Sequence, residues 1–215
     1  MEKEIRGTKI RLEPNSRPYL LKRILSDGFD TVLIFALFML LTALLLRTPL
    51  ADTYQAHSAR CTEIRQETAE QYQNDAEAVS TALSDNYEFQ NELFAANLHS
   101  YLLKALAAFL AEAVILLLVP LLNRDRSTPG KLLTGILPFN EKRQTRAVWY
   151  QVLCRFLFIF LLDSLALYLL TGILTFLLVP VLRLAEMLLN RKHKTICDYI
   201  TGVMMIEKMS YDGIN

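Results

Sequence analysis

Long apolar stretches alternate with charged segments along the chain. Three stretches contain few charged residues, at 24–46, 101–122 and 148–189. A helix of about 20 apolar residues crosses a hydrocarbon core of roughly 30 Å, so each of the first two stretches predicts one membrane span. The third stretch has 42 residues and would extend about 63 Å as a single helix. That length is twice the core thickness, and the third stretch is therefore predicted to fold back on itself.

Thr171 and Gly172 are the residues near the middle of the third stretch that favour a turn. A tight hairpin there gives two spans, at about 148–169 and 173–189. The chain is therefore predicted to be an all-α polytopic membrane protein with four transmembrane helices. The predicted segments are a basic N-terminal segment 1–23, a first span 24–50, an outer loop 51–97, a second span 98–122, an inner loop 123–147, a two-span hairpin 148–189 and a tail 190–215.

The charged residues between the spans are distributed asymmetrically, although the net charge is only +1. Segment 1–23 contains seven Lys and Arg residues, loop 123–147 six and the tail four, whereas 51–97 contains two Arg and nine acidic residues. Basic residues beside a span favour the cytoplasm. Both termini are therefore predicted to be cytoplasmic, in a bacterial-type plasma membrane, with the acidic segment exoplasmic. The basic segments suit anionic lipid rather than nucleic acid, because aromatic residues do not alternate with the basic ones.

Segment 51–97 is predicted to be an exoplasmic helical hairpin, because neither Gly nor Pro occurs between Pro49 and Pro120. The outgoing arm is expected at about 53–83. The returning arm is expected to begin near Asn86, capped by Asp85 with Glu88 in a box-like arrangement, and to continue into the second span.

Apolar residues recur along both arms of this hairpin at spacings of three, four or seven, which gives each arm an apolar stripe. The stripes contain Tyr72, Ala76, Val79 and Leu83, then Tyr87, Phe94 and Leu98. Two interpretations stay open: the stripes pack against each other as a rigid spacer, or they dock another subunit.

Eight ionisable residues fall within the predicted spans or at their ends: Arg23, Asp27, Asp30, Glu112, Arg155, Asp163, Arg183 and Glu186. Such side chains are unfavourable inside a membrane unless they are paired or hydrated, and they often mark functional sites. Arg23, Asp27 and Asp30 share one face of the first helix at 100° per residue. Asp30, Arg155 and Arg183 lie about 9–10 Å from the inner ends of three helices, from a rise of 1.5 Å per residue. We therefore expect a polar cluster in the inner half of the bundle, with Asp30 paired to Arg155, Arg183 or both.

The roles of these charges stay open on the sequence alone. Glu112 lies near the predicted midplane without an obvious partner at its level, which suits either proton exchange or inert hydrogen bonding. Asp163 lies nearer the outer surface. The cluster is either an internal network of salt bridges that fixes helix packing or part of a route for an ion or solute.

Three short segments resemble the RDD family of membrane proteins, which is named for one arginine and two aspartates. In that family a membrane helix begins with an Arg and carries an Asp seven residues later, and Arg23 and Asp30 match this pattern. Segment 128–131 (Thr-Pro-Gly-Lys), followed by Gly135, is similar to the family's T-x-G-K-x-x-x-G segment. Asp198, after the last span, is similar to the second aspartate.

The resemblance covers residues 17–208 apart from the outer loop. It implies a membrane protein of a kind that is often supposed to transport an unidentified ligand. Two features depart from the family pattern. Asp27 is an additional acid where an apolar residue is expected, and the acidic segment 51–97 is longer than a typical loop.

The inner surface carries two short, apolar, β-leaning pieces, each near a glycine, at 136–139 and 203–206. They are predicted to pair as a small cytoplasmic sheet. Segment 128–131 is expected to form a turn, since the full G-x-x-x-x-G-K spacing of a phosphate-binding loop is absent. Asp198 either receives Lys131 or Arg23, or caps a short helix.

Catalysis is not expected, because no nucleophile lies beside a base in a convincing arrangement. The three histidines, His57, His99 and His193, fall in the outer loop, at the outer surface and in the inner tail, and are not expected to converge. Residue spacing typical of a metal site is also absent. We therefore expect neither enzyme activity nor a cofactor or metal.

Two functions remain. The first is transport of a small solute or ion through an oligomer in the lipid bilayer, with Asp30, Glu112 and Asp198 as exchanging carboxyls and Arg23, Arg155 and Arg183 as counter-charges. The second is a non-catalytic accessory or regulatory subunit that docks another membrane subunit through the exoplasmic hairpin.

Overall fold

The computed structural model describes residues 2–5, 8–11, 17–140, 142–143, 145–161, 172–190 and 194–208, and helices form most of this part of the chain. The helices are α1 Arg17–Leu45, α2 Asp52–Gln71, α3 Ala76–Asp85, α4 Tyr87–Glu112, α5 Val119–Leu122, α6 Pro129–Thr134, α7 Trp149–Phe158, α8 Thr175–Leu189 and α9 Ile196–Thr201. The strands are β1 Glu2–Ile5, β2 Thr8–Arg11, β3 Ile136–Asn140, β4 Thr145–Arg146 and β5 Val203–Lys208.

The chain divides into two compact units, which are described separately. The first unit is Met1–Leu37 with Ala108–Asn215, and the second is Phe38–Ala107. Two helical segments are long and apolar enough to cross a membrane, Leu20–Leu45 and Tyr87–Leu122, whereas Trp149–Leu161 is a shorter apolar helix.

The turn predicted at Thr171 and Gly172 lies partly outside the described residues. Gly172 itself has a left-handed backbone with φ of 60° and begins a short 3₁₀ helix, Gly172–Leu174, that leads into α8. A left-handed residue reverses the local direction of the chain at little steric cost when it is glycine.

A π-helical turn, Ala113–Leu118, joins α4 to α5 and makes one long helical segment of them. The amide of Val119 donates to the carbonyl of Val114, five residues back. Pro120 accounts for this wider turn, because proline lacks an N–H and its ring clashes with the carbonyl four residues earlier.

A five-stranded antiparallel sheet with the order β1-β2-β5-β3-β4 lies in the first unit. β3 pairs with β5 from Ile136 opposite Glu207 to Asn140 opposite Val203, and the predicted pairing is confirmed. The predicted all-α fold class is incomplete, since the sheet also contains β4 and the N-terminal hairpin β1–β2. These strands are too short and too highly charged for the hydrophobic pattern to reveal them.

The two segments that enter the central strands have the same local structure. α6 follows Thr128 and ends at Gly135 before β3, and α9 follows Thr195 and ends at Gly202 before β5. Both glycines are left-handed, with φ of 69° and 62°, as helix C-caps commonly require. Segment 128–131 is therefore the start of a short helix rather than the expected turn.

The second unit is a helical hairpin whose outgoing arm is broken. Gln73 and Asn74 have φ of 51° and 63° between α2 and α3. Asp75 then caps α3 by accepting hydrogen bonds from two backbone amides of the next turn, at 3.0 and 3.3 Å. The expectation of one helix over 53–83 is wrong because asparagine tolerates the left-handed region without a glycine.

The returning arm begins at Tyr87, close to the predicted position. Its cap is Asn86, whose Oδ1 accepts a hydrogen bond from the amide of Phe89 at 3.0 Å. The prediction of Asp85 as the cap is wrong, since Asp85 is the last residue of α3. Only Asn86 lies between the end of α3 and the start of α4, so it is the residue in position to cap α4.

Some residues of the apolar stripes are buried in the hairpin, and others are exposed. Ile64, Leu83 and Phe89, one from each helix, form a buried core. Tyr87 and Phe94 are 80% and 70% exposed, and Leu98 is also exposed. The stripes therefore pack the three helices together in part and leave a row of apolar residues on α4 uncovered within this unit.

Candidate functional site

Asp30 of α1 binds the first turn of α6. Its Oδ1 accepts a hydrogen bond of 2.8 Å from the amide of Gly130, and its Oδ2 accepts one from the hydroxyl of Thr128. The ammonium group of Lys131 lies 3.5 Å from the same Oδ2. Both carboxylate oxygens are therefore engaged, in a place where the free amides of a helix start favour negative charge.

Gly130 lets the backbones of α6 and α1 touch. A Cβ atom at this position would lie 2.1 Å from the carbonyl oxygen of Ser26 and 3.0 Å from Oδ1 of Asp30. Real Cβ contacts do not come so close, so a larger residue would push α6 away from Asp30. The Thr-Pro-Gly-Lys segment thus supplies a hydroxyl donor, a close backbone approach and a cation to one carboxylate.

Lys131 also neutralises the additional acid of α1. Its Nζ lies 3.4 Å from Oδ1 of Asp27 and 3.2 Å from Oγ1 of Thr128, and the side chain is buried. Asp27 and Asp30 therefore share one cation. The prediction that Asp30 pairs with Arg155 or Arg183 is wrong. Thr128 and Gly130, at the start of α6, donate to the two oxygens of Asp30 instead.

Asp198 of α9 binds two arginines from two different helices. Arg23 of α1 donates to Oδ2, and Nη1 of Arg155 in α7 donates to Oδ1 at 2.5 Å. The amide of Thr195 also donates to Oδ2 at 3.1 Å, while the amide of Asp198 donates to Oγ1 of Thr195 at 3.3 Å. Asp198 is therefore the partner of Arg23 and also the third-position member of a capping box with Thr195, the N-cap of α9, and Lys131 is not its partner.

The charge state of Asp198 follows from these contacts. Burial alone would raise the pKa of this carboxyl, but the positive charges of Arg23 and Arg155, with the hydrogen bonds, hold the pKa well below its usual range. Asp198 is therefore ionised throughout the physiological pH range. Its negative charge lies between the two guanidinium groups.

A polar cavity of about 60 Å³ lies between α1, α7 and α8 and the segments that surround them. A buried water occupies roughly 10–15 Å³ by this measure, so the space accommodates a few water molecules. Six of the eight residues predicted to form a cluster line it: Arg23, Asp27, Asp30, Arg155, Arg183 and Glu186. Lys131 of the inner loop, which was not predicted as part of the cluster, lines it as well. Residues from four distant segments of the sequence thus surround one polar space.

The other predicted residues lie elsewhere. Glu112 is buried at the end of α4, directly before the π-helical turn, and is not among the described residues that line the cavity. Asp163 lies outside the described residues. Glu186, on the cavity wall, accepts a hydrogen bond of 3.2 Å from the amide of Ile196 and so connects α8 to α9.

Sequence reasoning missed Gln151, a buried residue near the start of α7 that connects three segments. Its Oε1 accepts hydrogen bonds of 3.1 Å from Asn140 and from the amide of Val148, and its Nε2 donates to the carbonyl of Thr201 at 2.9 Å. A single glutamine at the start of an apolar helix is the sequence feature from which Gln151 could have been predicted.

Arg126 was also missed, although it lines the cavity. It has a left-handed backbone with φ of 54°, and its Nη1 donates to the carbonyl of Leu121. A non-glycine residue in this conformation is uncommon and often occurs at functional sites. A single arginine in a basic loop gives no sequence signal of this kind.

In the second unit, His57 and His99 lie side by side, whereas His193, the third histidine considered in the sequence analysis, lies outside the described residues. Nδ1 of His57 lies 2.6 Å from Oε2 of Glu92, and the two imidazole rings stack with centroids 5.5 Å apart. The antiparallel packing of α2 and α4 produces this contact. Among the described residues, no group of three or more His, Cys, Asp and Glu side chains is placed to hold a metal ion.

Residues 17–202 match the RDD family. The matched range begins at the first residue of α1 and ends at the glycine that precedes β5, so it includes Arg23, Asp30, segment 128–131 and Asp198. No curated protein and no solved structure matches the chain.

Proposed function

The chain belongs to the RDD family, and on that premise we propose that it transports a small solute or ion across a membrane as an oligomer. The observation that carries this proposal is the polar cavity, whose wall contains eight ionisable side chains between apolar helices. Buried charges of this kind are unfavourable in a membrane protein unless they serve packing or a polar route. The cavity supports the polar route, because it leaves space for a few water molecules beside these charges.

We propose four membrane spans with both termini in the cytoplasm. Two apolar helical segments of membrane-spanning length support this topology, together with the apolar α7 and α8. The sheet supports it too, since β2, β3 and β5 come from the N-terminal segment, the inner loop and the tail and must lie on one side of a membrane. The basic charge of all three segments favours the cytoplasmic side, and the acidic segment 51–97 is then exoplasmic.

The two carboxylates of the family pattern close the inner end of the proposed route. Asp30 holds α6 against α1, and Asp198 holds α9 against α1 and α7. In this proposal they are fixed contacts that must loosen for passage, while Asp27 and Glu186 lie on the wall of the route and are held by Lys131 and the amide of Ile196. An oligomer is needed because four helices hardly enclose a pathway.

Asp27→Asn tests this function. The variant retains Lys131 and both aspartates of the family pattern, so the fold is expected to persist. Proteoliposomes that contain the pH-sensitive dye pyranine would be exposed to gradients of NaCl, KCl and sodium phosphate. We expect wild-type flux with at least one of these probes and a flux at least about tenfold lower in the variant, since a cavity charge is removed.

Asp125→Asn is the matched control. Its carboxylate pairs with Arg146 at 3.1 Å and is not among the described residues that line the cavity. Its flux should equal that of the wild type. Absence of flux in the wild-type oligomer, or equal flux in both variants, would contradict transport through this cavity.

A second candidate function is a non-catalytic accessory subunit that docks a membrane partner. The uncovered apolar row on α4, with Tyr87, Phe94 and Leu98 exposed, favours it, because exposed apolar patches commonly mark interaction surfaces. Purification with and without residues 55–95 tests this function. Loss of a co-purifying protein from the shortened chain would support docking, and an unchanged set of co-purifying proteins would count against it.

A further inference from the structure

We propose that the cavity binds a small oxyanion, the carboxylate or phosphate group of its ligand. This inference rests on the proposed function and names the class of solute. The wall of the cavity carries more positive than negative side chains. The cations are Arg23, Arg126, Lys131, Arg155 and Arg183, and the carboxylates are Asp27, Asp30 and Glu186. With Asp198 added behind the wall, the cations still outnumber the carboxylates by one.

The carboxylates on the wall are largely engaged by the protein itself. Asp30 gives both oxygens to α6, Asp27 accepts from Lys131, and Glu186 accepts from the amide of Ile196. A cation in the cavity would therefore compete with existing partners for every carboxylate. It would also face the repulsion of the surrounding arginines.

Two guanidinium groups on the wall retain donors. A guanidinium has five N–H groups. Within the described part of the chain, the side chain of Arg155 makes one hydrogen bond, to Asp198, and that of Arg126 makes one, to the carbonyl of Leu121. Planar guanidinium groups bind carboxylate and phosphate with paired hydrogen bonds, so the remaining donors of these two residues suit an oxyanion.

The backbone of Arg126 supports the same assignment. A left-handed conformation at a non-glycine residue costs of order 1 kcal/mol or more and persists where the surrounding structure holds it. Here it places a cation on the cavity wall two residues before Thr128, where the segment that binds Asp30 begins. The space of about 60 Å³ is comparable with a carboxylate or phosphate group and the waters it displaces.

Calorimetric titration of the full chain tests the proposal. The protein would be placed in nanodiscs of phosphatidylcholine and titrated with inorganic phosphate, and separately with acetate, at constant ionic strength. We expect saturable binding of at least one of these anions. Arg126→Gln should weaken it by about tenfold or more, as expected for a lost hydrogen bond to a charged group, and Arg126→Lys should retain more of the affinity than the glutamine variant.

Arg124→Gln is the matched control, because Arg124 is exposed two residues away and is not among the described residues that line the cavity. It should bind the anion as the wild type does. No saturable binding by a monodisperse wild-type sample would overturn the proposal, as would equal losses in the variants at 124 and 126.

A second set of nanodiscs with phosphatidylglycerol distinguishes the source of the oxyanion. If a lipid headgroup occupies the cavity, free phosphate should bind more weakly in these nanodiscs, and the difference should disappear in Arg126→Gln. If a soluble solute is the ligand, the affinity should be the same in both lipids.

The outcomes for binding and for transport can differ. Anion binding without flux would contradict transport but support this inference. Flux of NaCl or KCl without anion binding would support transport but contradict this inference.

Discussion

Arg23, near the start of α1, forms a buried ion pair with Asp198, which lies 175 residues later in the chain. The pair joins the first long helix to the segment that leads into the last strand. Both side chains are almost fully buried, so removal of either partner would leave an uncompensated charge inside the protein. The first arginine and the last aspartate of the family pattern are therefore one structural contact.

Stability should fall in acid through Asp198. Its pKa is lower in the folded chain than in the unfolded chain, so its contribution is complete above the unfolded value of about 4 and is lost as the pH falls toward the folded value. The midpoint of thermal unfolding in detergent, measured from pH 7 to pH 3, should decline below about pH 4. Asp198→Asn should be less stable at pH 7 and show a shallower decline, and an equal decline in both proteins would contradict this account.

Gly130→Ala should destabilise the contact between α6 and α1. The new Cβ would lie 2.1 Å from the carbonyl of Ser26, so α6 must move and its bonds to Asp30 lengthen, at a cost of roughly 2 kcal/mol or more. Gly28→Ala on α1 is the control, because no atom lies within 4 Å of its added Cβ. Alanine there should be neutral or stabilising by up to about 1 kcal/mol, and equal thermal midpoints for the two variants would contradict the close approach.

Two phenylalanines on α4 should respond in opposite ways to truncation. Phe89 packs against Ile64 and Leu83 in the core of the second unit, and Phe89→Ala should cost about 3–5 kcal/mol. Phe94 is 70% exposed, and Phe94→Ala should leave the fold of the hairpin intact. Hydrogen exchange of α2 and α3 checks both variants, and faster exchange in Phe94→Ala than in Phe89→Ala would refute the packing.

The start of α4 provides a test at adjacent positions. Asn86 accepts the capping hydrogen bond from Phe89, so Asn86→Ala should cost about 1 kcal/mol. Asp85→Ala should cost much less, because Asp85 ends the preceding helix. Chemical unfolding of the two variants distinguishes them, and a larger loss at position 85 would restore the capping role that the sequence predicts.

Periodicity and local chemistry predicted those parts of the fold that depend on neighbouring residues. The apolar stretch of α1 and the start of α4 near Asn86 belong to this group. The pairing of 136–139 with 203–206 joins distant segments and was predicted because both pieces are short, apolar and β-leaning. The break before Asp75 was not predictable, because asparagine and glutamine adopt the left-handed conformation there without a glycine to mark it. The sequence contains the cap of α3 but gives no reason to prefer it to a continuous helix.

The candidate site was predictable as a set of charges but not as a set of pairs. Depth along the helices placed Asp30, Arg155 and Arg183 at one level, and all three line the cavity. Depth does not determine which segment fills the space between two helices. Here α6 reaches Asp30 through a backbone contact at Gly130, and α9 supplies Asp198 to Arg155, and both contacts depend on tertiary packing.

A double-mutant cycle measures the coupling between Arg23 and Asp198. Arg23→Gln, Asp198→Asn and the double variant would be compared by chemical unfolding in detergent. A buried pair predicts a coupling free energy of about 2–3 kcal/mol, whereas the partly exposed pair of Arg146 with Asp125, at 3.1 Å, should give under about 1 kcal/mol with the same substitutions. Additive effects of the substitutions at Arg23 and Asp198 would contradict the pairing on which the site is built.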